Sequence, residues 1–259
     1  MELELAGKSA LITGASKGIG RAIAESLAAE GCTLHLGART EADLAAVRDD
    51  HNSRFGAQVT IHPGDLGLDA EVAKLAEACA EIDILVNNAG AIPAGDLSRV
   101  DDATWRKAWD LKIFGFVNLT RTLYPRMCAR GDGVIVNIIG TAGERPNANY
   151  IAGSMANAGL MALTRALGAE SLDHGVRVVG IAPGPIETER LRVQSERRAE
   201  VGFGDRSRWR EVLTNLPGGR PGLPREVADV AAFLASPRAS WISGTVLMVD
   251  GGQHSRAPA

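Results

Sequence analysis

Tyr150 and Ser154 stand four residues apart at the start of a helical stretch, just past the apolar run Val134-Ile-Val-Asn-Ile-Ile139. A tyrosine at the mouth of a helix near a strand end can give or take a proton, and the residue one turn later shares its face. Here that residue, Ser154, carries no charge. A second constellation lies near the N-terminus. Gly14-Ala-Ser16-Lys17-Gly18-Ile19-Gly20 joins an apolar run to a helical pattern with Ile23 and Leu27 on one face. Glycines in a strand-to-helix turn let backbone N–H groups approach a pyrophosphate, and the helix presents its positive end to that anion. The next apolar run ends in Ala38-Arg39. No carboxylate is there for a ribose 2′-hydroxyl, whereas Arg39 and Lys17 offer two cations for a 2′-phosphate. The expected cofactor is NADP(H) rather than NAD(H).

These groups need a scaffold. Short apolar runs read as strands at 8–13, 33–38, 58–62, 82–86, 134–139, 176–181 and 245–249. Helical periodicity fills the intervals at 19–30, 41–55, 69–80, 103–130, 149–173 and 224–234. Alternation of this kind predicts an α/β fold, a parallel sheet with helices on both faces. No linker or repeat divides it, so residues 1–259 read as one domain. The Arg-rich segment 187–220 breaks the rhythm after the carboxyl end of a strand, where such sheets carry lids. It reads as a substrate lid, and 253–259 as a C-terminal tail.

The net charge of −3 gives no electrostatic case for nucleic acid or an anionic membrane. No run is long and apolar enough to span a bilayer, and no leader pattern opens the chain. The expectation is a cytoplasmic protein with a small-molecule substrate. Cys32, Cys79 and Cys128 are odd in number and far apart. They read as buried thiols in a reducing compartment, with no disulfide and no metal.

Taken together, Thr13 to Gly20, Asp65-Leu66, Asn87-Asn88-Ala89-Gly90, Tyr150, Pro183-Gly184-Pro185-Ile186-Glu187-Thr188, Ser243-Gly244 and Asp250-Gly251-Gly252 resemble the short-chain dehydrogenase/reductase family. The resemblance implies a doubly wound Rossmann-type domain with a seven-stranded parallel sheet, a nicotinamide cofactor, and a homotetramer or homodimer. It implies that Ser16, Lys17 and Ile19 line the phosphates, Asp65 and Leu66 the adenine, and Asn87, Ala89 and Gly90 the adenosine side. Pro183, Gly184, Ile186 and Thr188 would hold the nicotinamide end.

The family also implies hydride transfer between nicotinamide and a carbonyl or secondary alcohol, with a tyrosine as proton donor or acceptor. A lysine one turn later, a serine after strand five and an asparagine in the preceding long helix complete its set. Tyr150 matches the tyrosine. Ser154 stands at the lysine, Gly140 at the serine with Thr141 beside it, and Lys112 at the asparagine. The loop from Gly140 to Tyr150 is short for the family. One reading joins two of these changes: Lys112 enters from the neighbouring helix and supplies the charge missing at Ser154. The leading expectation is an NADP(H)-dependent oxidoreductase. The alternatives are a cofactor-binding pseudoenzyme and a non-redox enzyme on the same fold.

Overall fold

The computed structural model describes residues 2–256; residues 257–259 of the expected tail lie outside them. Its seven strands are β1 (Ser9–Thr13), β2 (Thr33–Ala38), β3 (Val59–Pro63), β4 (Ile84–Asn87), β5 (Gly133–Ile138), β6 (Val176–Pro183) and β7 (Val246–Val249). They form one sheet in the order β3-β2-β1-β4-β5-β6-β7, every pair parallel. The central strands are apolar on both faces because both are covered. On β1, Ala10 and Ile12 enter one core cluster while Leu11 enters the other.

The helices are α1 (Gly18–Ala29), α2 (Glu41–Phe55), α3 (Asp69–Ala78), α4 (Asp102–Trp109), α5 (Gly115–Arg130), α6 (Ile151–Glu170), α7 (Glu189–Phe203) and α8 (Pro224–Ala235). Residues of α1, α2 and α8 fill the first cluster, and residues of α3 and α5 fill the second. From β1 the chain adds strands toward one edge as far as β3, then crosses to β4 and adds them toward the other edge. The carboxyl ends of β1 and β4 therefore open a crevice between them, the place where such sheets bind ligands.

Three departures from the sequence reading bear on the site. The helix expected over 103–130 is interrupted by a π-helical segment, Asp110–Phe114, which joins α4 to α5 and contains Lys112. The wider turn resets the phase of the helix, and Lys112 ends up buried, 7% exposed. The helix expected from 149 begins at Ile151, with Tyr150 as its N-cap in a non-helical conformation. The Arg-rich segment read as a lid is built from α7 and a 3₁₀ stretch, Arg206–Leu213, which pack on each other through Ala199, Trp209 and Leu213.

One buried charge holds the sheet to α8. Arg177, on β6, donates to the carbonyls of Leu234 at 2.7 Å, Ala235 at 3.3 Å and Ser236 at 2.9 Å. A cation satisfies the last carbonyls of the helix and favours its negative end. Arg177→Met keeps the stem but strands these acceptors. It should cost about 2–3 kcal/mol in denaturant unfolding, the range for hydrogen bonds to a charged group.

Candidate active site

The nucleotide turn is held in place from below by β4. Thr13 Oγ1 accepts from the backbone N–H of Asn88 at 2.9 Å and of Ala89 at 3.0 Å. Asn88 Nδ2 donates back to the carbonyls of Thr13 at 2.9 Å and Gly14 at 3.2 Å. The space for this lattice comes from missing side chains. A Cβ on Gly14 would lie 3.0 Å from Ala89 Cα, and one on Gly20 would collide with the Gly14 carbonyl and the Asn88 amide. Gly14 also has φ = 66°, which glycine adopts without strain. The first turn of α1 carries no side-chain cap. Its N–H groups are available to an anion.

The other expected cofactor residues surround this turn. A Cβ on Gly18 would lie 3.2 Å from Thr188 Cγ2, so Thr188, the N-cap of α7, sits against the glycine turn. Arg39 is exposed and makes no ion pair among the described residues, whereas Lys17 pairs with Glu189 at 3.3 Å. Both partners of that pair are more than 70% exposed, so it holds the lid base only weakly. Asp65 Oδ1 accepts from Gly67 N–H at 3.0 Å in a tight turn beside the buried Leu66. Asn87 Nδ2 donates to Asn137 Oδ1 and Thr120 Oγ1, tying β4 to β5 and α5, and leaves its own Oδ1 without a protein partner. Pro183 ends β6; Gly184 packs on Asp250, and Ile186 is buried.

The catalytic expectations are rearranged. Lys112 crosses the crevice over Gly90: a Cβ there would lie 2.6 Å from Lys112 Cδ. Lys112 Nζ donates to the Ile138 carbonyl at 2.6 Å and lies 4.5 Å from the centre of the Phe116 ring. No carboxylate pairs with it among the described residues. Burial, and then the Arg190 guanidinium, lower its ammonium to about 7. Arg190 itself reaches from α7 to the Ile92 carbonyl.

Ser154 does not face this lysine. Its Oγ accepts from Asn147 N–H at 2.9 Å and lies 3.4 Å from the Asn147 carbonyl, closing the loop that precedes α6. The helix residue that faces Gly140 is Asn157, whose Nδ2 would lie 2.9 Å from a Cβ there. Asn157 is 4% exposed and its amide has no hydrogen-bond partner among the described residues. Gly140 has φ = 137°, a backbone that disfavours any side chain. The Tyr150 ring rests on Gly153, where a Cβ would overlap it, and joins a cluster with Ile92, Trp105, Trp109, Ala152 and Ala156. Its hydroxyl makes no hydrogen bond among the described residues. Thr141 opens a 3₁₀ turn beside Gly140, and its hydroxyl is equally unengaged.

Across the crevice, Asn157 rather than Ser154 faces Gly140, and Gly153 carries the Tyr150 ring. The sequence reading, counted from Tyr150, did not single out Asn157 or Gly153.

The match with known proteins spans the whole chain. The family described as Enoyl-(Acyl carrier protein) reductase matches residues 14–254. A 3-oxoacyl-[acyl-carrier-protein] reductase of Vibrio harveyi is 35% identical over 257 residues, covering 97% of this chain and 99% of that protein. Galactitol 2-dehydrogenase (L-tagatose-forming) of Cereibacter sphaeroides is 38% identical over 250 residues, covering 96% and 95%. The crystal structure of L-sorbose reductase from Gluconobacter frateurii, complexed with NADPH and L-sorbose, superposes with a TM-score of 0.93 at 31% identity, covering 99% and 100%.

The buried lysine has a measurable signature. Between about 7 and the unfolded value near 10.5, the unfolded chain holds a proton that native Lys112 has lost, so native stability rises with pH across that window. Below about 7 the native state carries the full cost of the buried ammonium, on the order of 5 kcal/mol. Lys112→Met should therefore be more stable than wild type at pH 6, by an advantage that shrinks as pH climbs to 10.5. Chemical denaturation at a series of pH values reads this directly. By its fold, its motifs and its relatives, the chain belongs to the short-chain dehydrogenase/reductase family.

Proposed function

We propose that this protein is an NADP(H)-dependent oxidoreductase that moves a hydride between the nicotinamide and a small carbonyl compound or secondary alcohol. The observation that carries this reading is one crevice holding both a glycine-rich dinucleotide turn and a buried lysine with no carboxylate partner at the end of β5. The cradle fits the cofactor on its own geometry, because Gly14 and Gly20 have no room for a Cβ and the first turn of α1 is uncapped. Gly14, Ser16, Lys17, Gly18, Ile19 and Gly20 would hold the phosphates and Arg39 the 2′-phosphate. Asp65, Leu66, Asn87, Ala89 and Gly90 would line the adenosine side, and Pro183, Gly184, Ile186 and Thr188 the nicotinamide end. Bound NADPH supplies the hydride. The groups this chain offers to the substrate oxygen are Lys112, Asn157, Thr141 and the Tyr150 hydroxyl.

The named reductase and dehydrogenase relatives support carbonyl or alcohol chemistry, and the sorbose reductase complex supports NADPH. Exposed Phe114, Met155, Trp241 and Leu247 support a homotetramer or homodimer. No helix among the described residues is long and apolar enough to cross a membrane, which agrees with a cytoplasmic enzyme.

The test mixes purified protein and NADPH with a panel of ketoses, keto acids and 3-oxoacyl thioesters, following nicotinamide absorbance. Consumption with at least one class is expected. Tight NADPH binding without any turnover would return the protein to the cofactor-binding pseudoenzyme reading, and turnover without cofactor to the non-redox one. Arg39→Asp should weaken NADPH binding at least about tenfold while sparing NADH, as expected when one charge-assisted contact to the 2′-phosphate is lost.

A further inference from the structure

We infer that Lys112 is itself the acid–base group of this site, that the Asn157 amide holds the substrate oxygen, and that Tyr150 serves as a wall of the pocket. The inference rests on the oxidoreductase reading above and identifies the proton source within it. Three places arranged around β5 are empty of side chains and filled by neighbours. Gly90 has given its space to the stem of Lys112, Gly153 to the Tyr150 ring, and Gly140 to the Asn157 amide. Nζ has three hydrogens when charged. One goes to the Ile138 carbonyl at 2.6 Å and the Phe116 ring lies 4.5 Å away, which leaves a donor for a ligand. Asn157 is 4% exposed and its Nδ2 lies where a side chain on Gly140 would begin, which places an amide donor for a ligand oxygen beside the end of β5. The Tyr150 ring is held in an apolar cluster with Trp105 and Trp109.

On reduction, hydride addition turns the carbonyl π pair into an oxygen lone pair. The Nζ proton passes to that oxygen, the alcohol leaves, and the neutral amine regains a proton from solvent. Oxidation runs the same transfer backwards, with the neutral amine taking the hydroxyl proton. Burial and the Arg190 charge hold the ammonium at about 7, so both forms are populated at neutral pH. Arg190 sits on the lid helix α7, which links the lysine's protonation to lid position.

The protein has five lysines, few enough to follow individually by NMR of lysine labelled with ¹³C at Cε. One resonance should titrate near pH 7 and be missing from Lys112→Met. Reduction measured as kcat/KM should fall as pH rises through the same value, and oxidation should rise. Lys112→Met should lose at least about a hundredfold with no inflection left, yet bind NADPH within about threefold of wild type. Arg190→Gln should move the inflection upward. Tyr150→Phe should cost less than about tenfold and leave the inflection in place. Five lysines titrating above pH 9, or an inflection that survives Lys112→Met or vanishes in Tyr150→Phe, would overturn the assignment. Failure of wild type to bind NADPH would instead remove the oxidoreductase reading beneath it.

A second observation, remote from this chemistry, carries its own proposal: His35, His62 and Cys79 form a site for one Zn²⁺. His35 on β2 and His62 on β3 face the same side of the sheet, where Cys79, at the end of α3, covers them. Their donor atoms all lie within 4.8 Å of one another, the one such grouping among the described residues. His35 Nδ1 and His62 Nε2 are 3.0 Å apart, and Cys79 Sγ is 3.7 Å from His62 Nε2. Tetrahedral Zn²⁺ with nitrogen at about 2.0–2.1 Å and sulfur at about 2.3 Å sets its ligand atoms roughly 3.3–3.7 Å apart. Both imidazoles are partly exposed, so a fourth position can be filled by water. Chelator-treated protein titrated with Zn²⁺ in a calorimeter should bind one equivalent, and Co²⁺ in its place should show a thiolate charge-transfer band. Cys79→Ser should erase that band, and His62→Gln should weaken Zn²⁺ at least tenfold. Absence of binding, or binding untouched by either variant, would overturn the site.

Discussion

The constraint on which the site depends is the burial of one lysine charge without a carboxylate to meet it. Lys112 leaves water for a carbonyl, an aromatic ring and the distant repulsion of Arg190. Desolvation of an unpaired ammonium is among the larger penalties a fold can carry. Folded proteins relieve it by neutralising the group, and that relief places the amine's proton within reach of neutral pH. The π-helical turn at Asp110–Phe114 is what commits the chain to this arrangement. A regular α-helix through the same residues would change the phase of every side chain beyond it, and Lys112 would lose its line into the crevice.

Glycines provide the room for this, less through flexibility than through vacancy. Gly90 follows β4, Gly140 follows β5 and Gly153 lies in the first turn of α6, and the space at each is taken by another residue's side chain: Lys112, Asn157 and Tyr150 respectively. The substitutions are therefore coupled. Restoring a serine at Gly140 would meet both the Asn157 amide and a φ of 137°. A side chain at Gly153 would meet the Tyr150 ring, and one at Gly90 would meet the lysine stem. The site is a mutually fitted set, and a single reversion toward the family pattern produces a clash before it produces chemistry.

The fold was legible in the sequence because buried parallel strands and the helices between them announce themselves through local apolar pattern. The seven strands and their alternation with helices follow from runs such as Ile84–Asn87 and Val176–Pro183, whose burial on both faces leaves no polar period. The glycine turn was legible for a similar reason, since its chemistry lies in the backbone and its spacing is contiguous. The reaction centre was only partly legible. Lys112 was marked as unusual, but its direction depends on a π-turn that no local propensity encodes. Ser154 was placed opposite the lysine by counting from Tyr150, whereas it closes a loop on Asn147. Which face of α6 meets Gly140 is set by where that helix starts, and contacts across the crevice are needed to see it. The pairing of His35 and His62 with Cys79 was invisible for the same reason, because three elements separate in sequence bring them together.

The lid draws these threads into one mechanical unit. Thr188 lies against Gly18, Glu189 pairs with Lys17, and Arg190 holds the Ile92 carbonyl, so three consecutive residues fasten α7 to the nucleotide turn and to the loop after β4. The first two contacts are where the phosphates of a dinucleotide would lie, and the third carries the charge that helps to lower Lys112. A phosphate entering the turn competes with Glu189 for Lys17, since that pair is exposed and weak. Any shift of α7 that follows moves Arg190 relative to the buried lysine, and the Coulomb effect of one cation on another depends directly on that separation. On the proposed function, cofactor occupancy, the position of α7 and the protonation state of Lys112 would be linked by contacts of adjacent residues at one helix start, with no need for a longer path through the protein.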